Sequence, residues 1–208
     1  AARIAQTGTA CQPSPIAGRN LAASRYAVLQ PWEETAVSRK IPHLERLNEQ
    51  AFALDRRVCK VQACLLDSTT HVLFCNSLGM AYYDYRPLAT FAVTCVMEQD
   101  GRVESGNASR SLRLGAEFLT EALVDGLARE VVEKTALLFR AVKPRGGEMP
   151  VVMAAGSSGI LLHEAIGHAF EADFNRKGIS IFSDRLGRQV CHPSISVVDD
   201  GTLEHNRG

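Results

Sequence analysis

The chain has no excess charge of either sign: 23 Lys and Arg stand against 23 Asp and Glu in 208 residues. That balance leaves no electrostatic footprint for nucleic acid, and no basic stretch is interleaved with aromatics. No uninterrupted apolar run is long enough to span a bilayer. Residues 1–10 lack the basic region and apolar core of a secretory signal peptide. The six cysteines include no Cys-x-x-Cys pair, which argues against a structural zinc knuckle. With no export signal they read as reduced thiols. Cys59, Cys64, Cys75 and Cys95 fall in apolar or strand-like segments, where cysteine behaves as a small buried hydrophobe. Internal repeats and low-complexity tracts are missing. The Gly156-Ser157-Ser158-Gly159 turn is followed by no Gly-Lys-Ser/Thr and is one residue short of a nucleophile elbow, so neither a phosphate loop nor a serine hydrolase is indicated. What remains is the composition of an ordinary soluble globular protein, 46% apolar and 22% charged.

The chain divides into three stretches. Residues 1–42 carry Pro13, Pro15, Pro31 and Pro42 with little periodicity and read as loop and linker, with a short strand at Tyr26–Leu29. Residues 43–145 read as an α+β domain. Leu44, Leu47, Ala51, Leu54 and Val58 recur three or four apart, which predicts an amphipathic helix from His43 to Lys60. Strand signals follow at Val61–Leu66, His71–Asn76 and Met80–Gln99, broken by Asp67–Thr70 and Asn76–Gly79. Asp100-Gly101 predicts a turn into a further strand at Val103–Ala108. The three tyrosines Tyr82, Tyr83 and Tyr85 read as sheet surface. From Gly115 to Val142 the period turns helical again, with Gly126 as a weak point. Lys143–Gly147 is the best boundary. Residues 146–208 then read as a strand at Met149–Ala155, a helix, and the first strands of a β-rich domain at Ile179–Phe182 and Ile195–Val198. Asp199 and Asp200 read as setting the turn at Gly201.

The chemistry concentrates in His163-Glu164-Ala165-Ile166-Gly167-His168. Neutral imidazole is a common zinc ligand, and a carboxylate beside it is the usual general base for a metal-activated water. The familiar arrangement spaces its histidines at i and i+4. Here they are at i and i+5, about 140° apart on an undistorted helix at roughly 100° per residue. A wider π-type turn brings such positions together, and Gly167 is the residue that tolerates unusual dihedrals. Two helical histidines also occur as ordinary surface residues. Against that reading stands the polar cluster that follows, Glu171, Asp173, Asn175, Arg176 and Lys177, closed by Gly178. Ser157 and Ser158 are candidate caps for the helix.

The run from Gly159 to His168 (GILLHEAIGH), then Glu171 to Gly178 (EADFNRKG), then Val197 to Thr202 (VVDDGT) closely resembles the TldD/PmbA family of metallopeptidases. It is similar to the TldD-type subunit, which bears a His-Glu-x-x-x-His motif that its PmbA-type (TldE) partner lacks. Upstream, Tyr82 to Pro87 and Gly146 to Val152 resemble the family's N-terminal domain and linker. The resemblance implies that His163 and His168 are zinc ligands and that Glu164 is the catalytic acid/base. It implies a third ligand, a cysteine beyond Gly208, and a chain that is a central piece of a longer protein. Cys191 and His192 are the nearest local surrogates but do not fall at that ligand position. It further implies a cytoplasmic peptidase, paired with the PmbA-type subunit and cleaving unfolded peptides or small proteins. Two alternatives stand beside it: a non-catalytic interaction module with no metal, and a metal-dependent hydrolase of non-peptide amides.

Overall fold

The computed structural model describes residues 28–76 and 80–206. They fall into two compact units, one made of residues 143–199 and the other of the remainder.

The larger unit is α+β. Helix α1 spans Val37–Leu54, strands β1, β2 and β3 span Val58–Cys75, Ala81–Gln99 and Arg102–Leu112, and helix α2 spans Glu121–Leu138. The strands form one antiparallel sheet in the order β1-β2-β3. Both helices pack on one face of it. The core is built from alternate residues of β2 (Ala89, Phe91, Val93, Cys95, Met97) and from Leu47 and Ala51 of α1. From α2 come Val124, Leu127, Ala128 and Val131, three or four apart, as a core-facing stripe demands. Each large side chain so buried contributes about 1.5–3 kcal/mol relative to exposure. Thr120 caps α2, its Oγ1 accepting from the Leu123 amide at 3.2 Å. The β2–β3 turn is Asp100-Gly101, with φ of 53° and 78°, the left-handed pair of a two-residue hairpin. Gly106 lets β3 approach α2: a Cβ there would lie 2.5 Å from Thr135 Oγ1.

Several expectations need correction. The first helix begins at Val37, inside the stretch read as loop, and ends at Leu54 rather than Lys60. Pro42 lies within it, and no side chain caps its start, so the usual start signals are missing. Val58, read as helical, opens β1 and is buried. Asp67–Thr70 is no turn: β1 runs straight through it, paired with Pro87–Ala89 and Arg86 of β2. Its polar residues are tolerated because Asp67 accepts a hydrogen bond from Lys40 Nζ at 2.8 Å. Pro87 sits on β2 just before pairing with β3 begins at Ala89, so no donor is missed on that side. Helix α2 runs through Gly126 without interruption, that residue being exposed. Cys59, Cys64 and Cys75 are exposed, and of the four strand cysteines only Cys95 is buried. Of the strand expected at Tyr26–Leu29, Tyr26 and Ala27 lie outside the described residues, and Val28 and Leu29 are not in a strand.

The second unit holds helix α3, Ser158–Ile166, a 3₁₀ turn at Gly167–Phe170 and the short helix α4, Ala172–Arg176. The strands expected at Met149–Ala155, Ile179–Phe182 and Ile195–Val198 do not form. A strand exists only against a neighbour's ladder, and among the described residues none of these segments pairs with another. Val152, Ile181 and Val198 accordingly remain exposed. No helix among the described residues is long and apolar enough to cross a membrane.

Candidate metal centre

Helix α3 carries His163 and Glu164, and the 3₁₀ turn that follows carries His168. The helix opens without a side-chain cap: Ser157 makes none, and the Ser158 hydroxyl donates back to the Ala154 carbonyl. No π-turn forms at its far end. Instead the backbone breaks at Ile166 (φ −135°, ψ −26°) and restarts as a tighter 3₁₀ turn. Gly167 itself is in ordinary right-handed helical geometry (φ −60°, ψ −46°). Glycine leaves room there for the neighbouring ring, since a Cβ at Gly167 would lie 3.0 Å from His163 Nδ1, a tight contact from which the ring would have to shift by a few tenths of an ångström.

This break closes the i to i+5 gap. The rings of His163 and His168 lie 4.4 Å apart between centroids, tilted by 60°. One ligand atom each from His163, Glu164 and His168 fall within 4.8 Å of one another, and all three residues are exposed. Two imidazole nitrogens and a carboxylate oxygen form a donor set that a divalent transition metal, zinc among them, accepts. Glu164 Oε2 is 3.5 Å from His168 Nε2.

Sequence reasoning placed Glu171 in the polar cluster without a role. In the structure its Oε1 accepts from His168 Nδ1 at 2.7 Å. That hydrogen bond, with the nearby charges of Glu171 and Glu164, raises the His168 pKa above its ordinary value. The signal is an i, i+3 spacing, which pairs side chains on a helical turn. It becomes readable only once the turn after Ile166 is known. Behind it, Asn175 Nδ2 donates to the carbonyls of Ala169 and Glu171, both at 2.9 Å, and Ser180 Oγ donates to Ala169 O at 2.5 Å. These bonds tie α4 and the following loop to the turn that holds His168. Phe170 stacks on Phe182 with centroids 4.5 Å apart. A cavity of about 420 Å³ opens there, lined by Phe170, Phe182, Arg185, Leu186 and Arg188 among others. Cys191 and His192 do not join the cluster. Cys191 Sγ donates to Ile195 O at 3.4 Å, and His192 Nδ1 pairs with Ser194 Oγ at 2.7 Å. Asp199 joins no ligand cluster either, and Asp200 Oδ1 accepts from the Thr202 amide at 2.8 Å, as a turn-setting residue does.

Comparison with known proteins places this arrangement in a family. Residues 146–208 match a model of the PmbA/TldA metallopeptidase C-terminal domain, and residues 30–139 match its central domain. The chain is 39% identical over 191 residues to a Metalloprotease TldD homolog of Haemophilus influenzae, covering 89% of this chain and 39% of that protein. A Metalloprotease TldD homolog of Buchnera aphidicola is 34% identical over 190 residues, covering 88% of this chain and 39% of its own length. The chain thus spans about two fifths of these relatives. A solved structure from Thermotoga maritima, a candidate modulator of a DNA gyrase, shares the fold. Its TM-score is 0.65 at 19% identity, over 88% of this chain and 41% of that one.

Proposed function

The chain belongs to the PmbA/TldA metallopeptidase family, and we propose that it supplies two ligands and the general base of a zinc-dependent peptidase. The observation that carries this is the cluster of His163, Glu164 and His168 donor atoms within 4.8 Å. The histidines hold the ion. A further protein ligand comes from the cysteine that the family resemblance implies, rather than from Cys191. When bound, zinc supplies Lewis acidity, lowering the pKa of water and polarising the scissile carbonyl.

The chain's own groups do the rest. Glu164 is fixed by its place directly after His163 on α3 and needs no ligand role to reach the reacting water. Its carboxylate accepts the proton of the attacking water and returns it to the leaving amine, the two proton transfers that amide hydrolysis requires. The substrates are unfolded peptides or small proteins, as the family resemblance implies. The chain works in the cytoplasm as part of a pair with a PmbA-type subunit that lacks the motif.

The test is Glu164→Gln in the intact protein with its partner. Peptidase activity falls by about 10²- to 10⁴-fold, the range for losing a positioned acid/base, while zinc content is unchanged. Retained activity would remove Glu164 from the chemistry.

A further inference from the structure

We propose that Glu171 is a positioning residue that fixes the tautomer and ring orientation of His168, so that His168 presents Nε2 to the metal. The inference rests on the reading of His168 as a ligand and goes beyond it.

An imidazole has two nitrogens, and the hydrogen bond made by one decides which is free to ligate. Glu171 carries a carboxylate and can only accept, so His168 Nδ1, 2.7 Å away, carries the proton in that bond. Nε2 lies on the side of the ring where Glu164 Oε2 sits, 3.5 Å away, and is the nitrogen left to meet a metal. The two carboxylates therefore flank the ring at opposite nitrogens. Glu171 is itself held. It ends the 3₁₀ turn, its amide donating to His168 O at 3.2 Å, and its carbonyl accepts from the Asn175 amide at 3.1 Å and from Asn175 Nδ2 at 2.9 Å. Asn175 and Ser180 both grip Ala169 O, the carbonyl next to His168. His168 thus leans on a hydrogen-bonded brace built from the segment Ala169–Ser180. His163 has no comparable carboxylate hydrogen bond among the described residues, and its ring lies over Gly167.

Outer partners of ligating histidines typically account for 10- to 100-fold in metal affinity. The experiment uses the intact protein with ¹⁵N-labelled histidine, and compares wild type with Glu171→Ala, Glu171→Gln and His168→Ala. Two readouts are taken: zinc affinity by competition with a chelator, and the nitrogen shifts of His168 without zinc. The expected result is about a 10- to 100-fold loss of zinc affinity in E171A, with the His168 proton moving from Nδ1 toward Nε2. E171Q keeps an acceptor oxygen and loses less. If E171A binds zinc as wild type does while H168A does not, Glu171 has no positioning role and the metal-centre reading survives. If H168A itself binds zinc as tightly as wild type, the metal-centre reading fails and this inference with it.

Discussion

Gly167 and His163 are in contact across one turn of backbone, with the glycine's missing Cβ 3.0 Å short of the imidazole Nδ1. Because Gly167 has helical dihedrals, alanine there meets no backbone penalty. Any effect of Gly167→Ala comes from pushing the His163 ring. A Cβ at 3.0 Å makes the imidazole give by a few tenths of an ångström, and a loss of about 1.4 kcal/mol in ligation is a factor of ten in binding. The expected outcome is about a tenfold or greater loss of zinc affinity with an unchanged circular dichroism spectrum. Wild-type affinity in G167A would show that the ring does not need this space.

In the larger unit, Gly106 packs where a Cβ would lie 2.5 Å from Thr135 Oγ1. Thr135 is fully buried and donates to Val131 O at 2.6 Å, so it has little room to move. Gly106→Ala is expected to cost about 1–3 kcal/mol of stability, read as a lower urea midpoint. Adding Thr135→Ala removes the clashing oxygen, and G106A/T135A is expected to be more stable than the sum of the single losses predicts. Strict additivity would count against the contact.

Acid weakens the same unit in a defined direction. A hydrogen bond from Arg46 holds Asp125 below the ordinary carboxylate range. Arg57 does the same for Asp55, and Lys134 with Arg110 for Glu130. A carboxyl with a lowered folded pKa contributes stability that is present above its unfolded value, about 4. That contribution is lost as pH falls through the folded value. Urea midpoints are therefore expected to be flat from pH 7 to 5 and to drop toward pH 3. Asp125→Asn should reduce the drop, and an unchanged pH profile in D125N would contradict the Arg46 pairing as its source.

What the sequence made legible follows from how local each signal is. The motif was readable because two histidines and a glutamate within six residues have few structural uses in common. The strand at Met80–Gln99, with Cys95 buried in it, was readable, and Asp100-Gly101 as its turn, because strand composition and a left-handed turn pair are local properties. The course of β1 through Asp67–Thr70 was not, because that segment has turn composition and is held extended by β2 and by Lys40, both distant in sequence. The start of α1 was hidden because it has no cap and contains Pro42. Gly167 was singled out for the wrong reason: the unusual dihedrals fall on Ile166, and Gly167 itself is in ordinary helical geometry. Glu171 was invisible as a partner of His168 because their meeting depends on a 3₁₀ turn that no propensity announces.

On the proposed function, His163 and His168 hold the catalytic zinc. The most direct measurement is the zinc stoichiometry and affinity of the intact protein beside His163→Ala and His168→Ala. Equimolar, tightly held zinc is expected in the wild type, and its loss in each variant, with the fold of both preserved. Equimolar zinc that persists in either variant, or a wild type that binds none, would contradict it.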